Sequence, residues 1–396
     1  MKDGISLCMI VKNEERFLRE CLESAQSLVD EIIIVDTGST DRTVSIAKEF
    51  TSLIYQFEWI DDFAAARNFA KSKANYNWIL SLDADERLQH IHPDARDLIL
   101  NSGIAAFEVS IFNKTAEDEL TNFAIHSAIR LFRNQQDIYF ENKVHEDVSK
   151  SLYEHKYDVK KAPFDIIHLG YFDSSQSKQE YMLRLLEREI NANPSDFAMG
   201  FYYGNQLFIL KRYRDALVAL KNAEKNYLEG VHSLKLILEL KLRKAYCFLE
   251  LDKPALALQE VEELLGMSLP EKEMIHYLLF AADIYSRTGL QKPALNVYQN
   301  IIGLMEQNPA LEKLINKSKV FFQMGRISYQ AKDLSGAYRY FTKVLDIESG
   351  NENALLLAGM SALLKGDNHN ARRHLEQTLM INPNNQTAQK GLQILK

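Results

Sequence analysis

The segment NWILSLDADERL, residues 77–88, joins an apolar run directly to a cluster of acidic residues. The run Trp-Ile-Leu-Ser-Leu is typical of a buried β-strand, and Asp83, Asp85 and Glu86 follow it within four positions. A strand interior does not tolerate clustered carboxylates, so these acids are predicted to lie just beyond the end of the strand. Their mutual repulsion indicates that a positively charged group normally lies between them.

The composition of the 396-residue chain is that of a globular protein with two or three domains. Apolar residues make up 46% and charged residues 26% of the chain, and the formal net charge is −7. This negative charge argues against a general nucleic-acid-binding protein, and the sequence has no basic block that would predict a membrane-surface patch.

The cysteines and the N-terminal apolar run both favour a cytoplasmic protein. Cys8, Cys21 and Cys247 have no metal-ligand spacing, and Cys8 is predicted to be a small core residue because it lies in an apolar run. The run ISLCMIV is too short for a membrane span and lacks the basic leader of a signal peptide.

Up to residue 175, short apolar runs alternate with stretches of helical pattern. The runs ISLCMIV, EIIIVD, LIYQFEW and WILSLD are separated by helical segments, which is typical of a mostly parallel sheet covered on both faces. The segments AAFEVSIFN and SAIRLFR alternate apolar and polar residues and predict antiparallel strands at the side of this sheet. Strand signals then disappear, so we predict an α/β domain over residues 1–175 and an all-α domain over residues 176–396.

The second half of the sequence repeats a pattern of small and large residues. Two columns of small residues lie 12 positions apart in each unit, and a large apolar residue follows the second column by four. The columns are Gly204, Ala245, Ala282, Gly325 and Gly359; then Ala216, Ala257, Ala294, Ala337 and Ala371; then the large residues Leu220, Val261, Tyr298, Phe341 and Leu375. Successive units are 41, 37, 43 and 34 residues apart.

This pattern resembles the tetratricopeptide repeat, most clearly in the last unit, where Gly366 and Pro383 occupy the expected turn positions. The small residues are predicted to let the two helices of a hairpin approach closely, and the large residues to fill the gaps between hairpins. A generic array of helical hairpins is the alternative. Either array stacks into a solenoid whose concave face is suited to holding another chain.

Acid-rich segments follow three of the predicted parallel strands. They are residues 12–15 after the first strand, residues 36–41 after the second and residues 83–86 after the fourth. Ligands of an open parallel sheet bind beyond the carboxyl ends of the strands, so all three segments are expected to face one crevice. The chain has neither a Gly-x-Gly-x-x-Gly motif nor a P-loop. The remaining way to neutralise a phosphate is Mg²⁺ or Mn²⁺, which usually binds through one or two carboxylates, substrate phosphates and water.

The ordered motifs then resemble those of a known family. SLCMIVKNEERFLRECLESAQSLVDEIIIVDTGSTDRT, DFAAARN and WILSLDADE resemble the family 2 glycosyltransferases with the GT-A fold, over residues 5–175. RLFRN, YFENKVHEDV and IIHLGY are similar to segments of lipopolysaccharide-core glucosyltransferases and of bacteriocin peptide S-glycosyltransferases. The peptide enzymes also carry a helical repeat domain after the transferase, so the resemblance implies a GT-A nucleotide-sugar domain followed by a tetratricopeptide-like solenoid.

The resemblance implies a nucleoside pocket near the ends of the first two strands. Asp36 would bind the uracil or ribose of a UDP-sugar, and the alternative is an aspartate that stabilises a turn or caps a helix. Asn13 and Glu14 would line the same pocket, although Glu14 also suits the start of a helix.

The same resemblance implies a diphosphate and metal site after the fourth strand. Asp83 would contact the ribose or pyrophosphate, and Asp85 would bind Mg²⁺ or Mn²⁺ directly. Arg67 would steady Asp83 or a phosphate, and its alternative is a plain surface ion pair. His168, in IIHLGY, resembles a histidine that completes the metal site in several GT-A enzymes, and a core histidine is the competing interpretation.

The segment KVHED offers candidates for the general base that an inverting transfer needs. The resemblance favours Glu146 as the base, with His145 orienting it or contacting the donor. Asp147 is the rival base, because many relatives use an aspartate here.

Together these features predict a metal-dependent inverting glycosyltransferase. It would move a hexose or N-acetylhexosamine from a UDP-sugar to Ser, Thr or Cys of a polypeptide that the repeats help to hold. The alternatives are a transferase that builds a cell-envelope saccharide and a repeat scaffold with an inactive sugar domain. Dimerisation of the chain through its repeats is a further option. We expect no nucleic-acid partner and no integral membrane segment.

Overall fold

A computed structural model describes residues 2–114, 123–169, 175–228, 234–267, 271–308, 311 and 315–396. These residues form two compact units, of which the first ends at Ser195 and the second begins at Asp196. The helix Gln176–Ala192 belongs to the first unit, whereas the sequence places its start at the beginning of the second domain. The division at 175/176 stays a prediction.

The described residues of the first unit contain a nine-stranded sheet. Its strands are β1 (Lys2–Val11), β2 (Glu31–Asp36), β3 (Ile54–Gln56), β4 (Tyr76–Ser81), β5 (Glu86–Gln89), β6 (Ala106–Lys114), β7 (Phe123–Arg133), β8 (Val159–Lys161) and β9 (Asp165–His168). They follow the order β3-β2-β1-β4-β7-β6-β9-β5, with β8 paired to β6. Strands β1 to β4 are parallel, and β7 and β6 add antiparallel pairs beside β4, as the alternating segments predict.

Helices cover both faces of the sheet, which confirms the predicted layer arrangement. The helices of this unit are α1 (Leu18–Ala25), α2 (Thr43–Ala47), α3 (Phe63–Ser72), α4 (Ala95–Leu100), α5 (Ser149–Glu154) and α6 (Gln176–Ala192). Side chains alternate along β1, so Leu7 packs in one core with Leu22 of α1, while Cys8 packs in the other core with Ala70 of α3. Cys8 is thus a buried core residue, as predicted.

Hydrogen bonds tie α6 to the loop that precedes α3. The hydroxyl group of Tyr181 donates to Asp61 Oδ1 at 2.6 Å and accepts from Trp59 Nε1 at 2.6 Å. Arg188 forms an ion pair with Asp61 at 2.8 Å. Two side chains of α6, Tyr181 and Arg188, therefore contact the same carboxylate. These contacts explain why the first unit extends beyond residue 175.

The register of the parallel strands brings the acid-rich loops to one edge of the sheet. Val11 pairs with Asp36, and Cys8 pairs with Ser81, so the chain leaves β1, β2 and β4 on the same side. The predicted crevice therefore lies at this carboxyl edge.

The second unit is built from paired helices. The described residues of this unit form five hairpins: α7 (Phe197–Ile209) and α8 (Tyr213–Glu224), α9 (Leu234–Glu250) and α10 (Pro254–Leu265), α11 (Glu271–Arg287) and α12 (Gln291–Gln307), α13 (Lys317–Gln330) and α14 (Leu334–Ile347), and α15 (Glu352–Leu364) and α16 (Asn368–Ile381). Helix α17 (Gln386–Ile394) follows them. Among all described helices, none has the length and apolar character needed to cross a membrane.

The glycines of the first column let the two helices of a hairpin touch. A Cβ atom built on Gly325 would lie 2.6 Å from the ring of Phe341, and one on Gly204 would lie 2.7 Å from the side chain of Leu220. In both cases the large residue packs on the glycine of its own hairpin. The missing side chain of the glycine opens a space inside the hairpin. Phe341 also packs in one core with Ala358 of the next hairpin, so at this position the large residue lies between hairpins as expected.

The turn between the two helices recurs in all five units. The residue seven positions after the first column has a positive φ angle in each unit. These residues are Lys211 (59°), Asp252 (55°), Gly289 (79°), Lys332 (62°) and Gly366 (85°). A left-handed residue ends the first helix in every unit, which supports one repeat type despite the irregular spacing.

Candidate functional site

A buried guanidinium joins two of the predicted site residues. Arg67 lies on α3, with only 7% of its side chain exposed. Its Nη2 donates to Asp83 Oδ1 at 2.6 Å, its Nε donates to Glu146 Oε1 at 2.6 Å, and its Nη1 donates to Ser81 Oγ at 3.0 Å. The side chain thus links the end of β4 to the KVHED segment, and it is not the surface ion pair considered as an alternative.

A second arginine, which the sequence analysis did not single out, holds the other side of the acidic loop. Arg130 on β7 donates from Nη2 to Asp83 Oδ2 at 2.9 Å and to Glu86 Oε1 at 2.6 Å. Glu86 is almost fully buried, and its other carboxylate oxygen accepts from the backbone amide of Asp83 at 2.9 Å. Two guanidinium groups therefore supply the positive charge that the acidic cluster requires.

The surroundings of this cluster lower the pKa of Asp83 and raise the pKa of Glu86. Burial would raise the pKa of Asp83, but attraction to Arg67 and Arg130 holds it well below its ordinary value. Asp83 keeps 37% of its side chain exposed, so the attraction outweighs the loss of hydration. Burial raises the pKa of Glu86, and the negative charge of Asp83 adds to that effect.

Asp85 contacts His168 at the opposite end of the acidic loop. Its Oδ2 lies 3.1 Å from His168 Nε2, and the backbone amide of Leu169 donates to the carbonyl oxygen of Asp85 at 3.0 Å. The register of β5 and β9, in which Glu86 pairs with His168, produces this contact. Burial would lower the pKa of His168, but the hydrogen bond and charge of Asp85 raise it above its ordinary value.

The loops after β1 and β2 are fastened to each other beside the acidic loop. The side-chain oxygen Oδ1 of Asn13 accepts a hydrogen bond from the backbone amide of Thr40 at 2.7 Å. The backbone amide of Asn13 donates to Ser39 Oγ at 3.0 Å. The buried carboxylate of Asp36 accepts from the Ser39 amide at 3.0 Å, which is the contact of a turn-stabilising aspartate. Asp36 and Asn13 therefore lie in neighbouring loops at the crevice, and the contact of Asp36 is the one expected from its alternative role in a turn.

The carboxyl group of Glu14 lies close to the other acidic residues of the crevice. Burial, followed by repulsion from Asp85, raises the pKa of Glu14 to about 7, and Asp83 adds to this repulsion. The backbone amide of Glu14 donates to Thr43 Oγ1 at 2.7 Å, which fixes its position next to the second loop. A cation beside Asp85 would relieve the repulsion.

The three residues of the KVHED segment have different surroundings. Glu146 keeps 12% of its side chain exposed and contacts Arg67. Asp147 instead accepts from the Ser149 amide at 2.7 Å, and its carbonyl oxygen accepts from the Glu141 amide, so it shapes the loop before α5. His145 has a positive φ angle of 54°. Packing of protein around its ring lowers the pKa of His145 to about 4, although the residue is exposed on one side.

A divalent metal fits the oxygen and nitrogen donors at Asp85 and His168. Within the described residues, no group of three Cys, His, Asp or Glu side chains is arranged to hold a metal ion by itself. Mg²⁺ and Mn²⁺ accept such an incomplete protein site, because substrate phosphates and water fill the remaining positions. Both carboxylate oxygens of Asp83 accept hydrogen bonds from arginine side chains, which makes this carboxylate less available to a metal.

Comparisons with known proteins show what these loops are similar to. Residues 6–92 match the family described as "Glycosyl transferase family 2". A TPR repeat-containing protein of Synechococcus elongatus is 39% identical over 202 residues, which cover 48% of this chain and 49% of that protein. The SPbeta prophage-derived glycosyltransferase SunS of Bacillus subtilis is 29% identical over 234 residues, covering 56% of this chain and 54% of SunS. This chain thus spans about half the length of the curated relatives it matches.

Among solved structures, the TPR protein YrrB is similar, with 18% identity and a TM-score of 0.40, over 52% of this chain and 97% of that one. The repeat assignment rests on the five hairpins described above rather than on this similarity. The matched segment contains the second half of β1, all of β2 and β4, and the loops that carry Asp36, Asp83 and Asp85. The protein therefore joins a GT-A-like domain, whose residues 6–92 match glycosyl transferase family 2, to paired-helix repeats of the tetratricopeptide type.

Proposed function

We propose that the protein is a metal-dependent inverting glycosyltransferase that moves a hexose or N-acetylhexosamine from a UDP-sugar to a polypeptide. The observation that carries this proposal is the link through Arg67. One buried guanidinium holds Asp83, which follows the strand at the crevice, and Glu146, the candidate base. Donor orientation and proton removal would then take place on one rigid set of side chains, which is what group transfer requires.

The donor would lie along the carboxyl edge of β1, β2 and β4. Asp36, Asn13 and Glu14 would bind the nucleoside, since their loops are fastened together at this edge. Asp83 would contact the ribose or pyrophosphate, because part of its side chain remains exposed.

The metal site would lie at Asp85 and His168. Both side chains offer the donors that Mg²⁺ or Mn²⁺ takes, and their contact distance of 3.1 Å places them side by side. The ion would act as a Lewis acid that stabilises the charge of the departing diphosphate.

Glu146 would remove the proton of the acceptor hydroxyl or thiol group. Arg67 holds its Oε1 atom, and this hydrogen bond orients the carboxylate. His145, at the neighbouring position, would orient the donor or the acceptor, and Asp147 serves the loop. Inverting transfer proceeds through a transition state like an oxocarbenium ion, so a base placed opposite the leaving group is the chemistry needed.

The repeats would hold the acceptor polypeptide. Aromatic side chains of successive first helices form a row: Phe208 of α7 lies 6.2 Å from Tyr246 of α9, which lies 4.7 Å from Phe280 of α11. Arg243 stacks on Phe208 and donates a hydrogen bond from Nε to Asn205 Oδ1 at 2.7 Å. Phe208, Tyr246 and Arg243 are half-buried, so the row offers both apolar area and hydrogen-bonding groups to a peptide.

UDP release from a panel of UDP-hexoses and UDP-N-acetylhexosamines tests the donor half of the proposal. With Mn²⁺, the wild-type chain should hydrolyse at least one donor slowly. Asp85→Ala should abolish this release and weaken UDP binding, whereas Asp36→Ala should raise the donor KM and keep the metal dependence. Asp94→Ala, at an exposed aspartate outside the crevice, is the control and should behave as wild type. Wild-type turnover in Asp85→Ala would refute the metal role.

A library of peptides containing Ser, Thr and Cys tests the acceptor half. Tyr246→Ala should lower transfer to the best peptide by about tenfold, the effect of losing about 1.4 kcal/mol of aromatic contact, while UDP release to water stays unchanged. Val218→Ala, at an exposed position of α8, is the control. Equal transfer by the Tyr246 and Val218 variants would remove the row from acceptor binding.

A further inference from the structure

Asn113 is a buried amide placed between two imidazole rings. The residue lies on β6 with 5% of its surface exposed, and it pairs with His168 on β9 in the strand register. Its Oδ1 lies 2.7 Å from His168 Nδ1, and its Nδ2 lies 2.8 Å from His126 Nδ1. Neither Asn113 nor His126 belongs to the site inferred from the sequence.

With Asn113 Oδ1 facing His168 Nδ1, this contact indicates which nitrogen of His168 carries the proton. A carbonyl oxygen can only accept, so Asn113 Oδ1 requires a proton on His168 Nδ1. In the neutral ring the lone pair then lies on Nε2, the atom that points at Asp85 Oδ2 from 3.1 Å. Two lone pairs facing each other repel, so the gap between the nitrogen and the carboxylate takes either a second proton on Nε2 or a cation.

We propose that Asn113 is a positioning residue for a divalent cation: it fixes the ring and tautomer of His168 so that Nε2 and Asp85 present adjacent donor atoms. The inference rests on the metal site of the proposed function. Histidine ligands of metals commonly donate their other N–H to an oxygen acceptor, and loss of that acceptor typically costs about 10- to 100-fold in metal affinity.

A Mn²⁺ titration of the full chain in the presence of UDP tests this role without measuring catalysis. Electron paramagnetic resonance detects the free ion in this titration. Asn113→Leu removes the acceptor and should weaken Mn²⁺ binding by about 10- to 100-fold. Asn113→Asp keeps an oxygen acceptor for the same N–H and should bind Mn²⁺ at least as tightly as wild type. Asn134→Leu, which removes a half-buried amide bonded to the Tyr76 carbonyl group elsewhere in the sheet, should leave the affinity unchanged.

Two outcomes would overturn the inference: wild-type affinity in Asn113→Leu, or equal losses in Asn113→Leu and Asn113→Asp. Should the leucine variant fail to fold, ¹⁵N spectra of the metal-free wild-type chain in alkaline buffer decide the question. The neutral His168 ring should carry its proton on Nδ1, and a proton on Nε2 would contradict the proposal.

The variants Asp85→Ala and His168→Ala separate this inference from the proposed function. If both retain the wild-type affinity for Mn²⁺, the proposed metal site itself is wrong. If both lose affinity and Asn113→Leu does not, only the positioning role of Asn113 fails.

Discussion

Replacing Arg67 with methionine removes the charge at the centre of the candidate site and keeps most of the side-chain volume. The substitution breaks the contacts with Asp83 and Glu146, both at 2.6 Å, and the contact with Ser81. Glu146 is left as a carboxylate with 12% exposure and no guanidinium partner, whereas Asp83 retains Arg130.

The expected loss of stability follows from burial rather than from the number of contacts. Removing one partner of a buried ion pair typically costs about 3–5 kcal/mol, because a charge is left unpaired. Asp83 is 37% exposed and keeps a second arginine, so the lower part of this range applies. A loss of about 3 kcal/mol in a unit of this size corresponds to a decrease in Tm of about 6–12 °C.

Thermal unfolding followed by circular dichroism at several pH values measures this effect. The pKa of Asp83 is lowered in the folded state, so its contribution to stability is present above the unfolded pKa of about 3.9 and is lost as the pH falls. The difference in Tm between wild type and Arg67→Met should therefore persist from neutral pH down to about pH 4 and shrink as the pH falls further.

Arg19→Met is the matched control, because Arg19 contacts Glu49 at the same distance of 2.6 Å but with 45% of its side chain exposed. This variant should leave the Tm nearly unchanged, since exposed ion pairs contribute little. An Arg67→Met variant that melts with the wild type at neutral pH, or a Tm loss that does not depend on pH, would refute the reasoning.

Three further predictions concern the repeats. Gly325→Ala should destabilise the chain by about 1–3 kcal/mol in urea unfolding because its Cβ would meet the Phe341 ring, whereas Gly303→Ala, where no atom lies within 4 Å, should stabilise it by about 0.5–1 kcal/mol. Lys332→Gly should stabilise by about 1 kcal/mol by relieving its positive φ angle, and unchanged urea stability would contradict this. Burial lowers the pKa of His374, so wild-type stability should fall as the pH drops below about 6.5, and His374→Phe should reduce this dependence.

The sequence predicted the sheet well because its strands are continuous apolar runs. EIIIVD matches the bounds of β2, and Asp83 and Asp85 follow β4 as the cost of burying charge requires. Glu86 instead begins β5 and is almost fully buried, where it is paired with Arg130. LIYQFEW yielded only the three-residue strand β3, since only its middle part pairs with β2. The attachment of α6 could not be predicted, because it depends on Asp61 and Tyr181, which lie 120 positions apart.

The site was predicted where charge alone carries the signal. Asp83, Asp85 and their need for a positive neighbour followed from repulsion among the acids, but the source of that charge did not. Arg130 lies in the alternating segment SAIRLFR, directly before the buried Leu131 and Phe132, and this position was a signal that it faces a partner. Asn113 gave no such signal, since its role depends on the register between β6 and β9.

UDP release by the wild type, Glu146→Gln and Asp147→Asn in Mn²⁺, with UDP binding measured in the same samples, tests the central claim most directly. Glutamine keeps an oxygen for the hydrogen bond from Arg67 and loses the ability to take a proton. Glu146→Gln should therefore bind UDP with the affinity of the wild type but form UDP from the UDP-sugar about 10²–10⁴-fold more slowly. Asp147→Asn should form UDP at a rate close to that of the wild type. Wild-type release by Glu146→Gln, or no metal-dependent release by the wild-type chain from any UDP-sugar, would contradict the account.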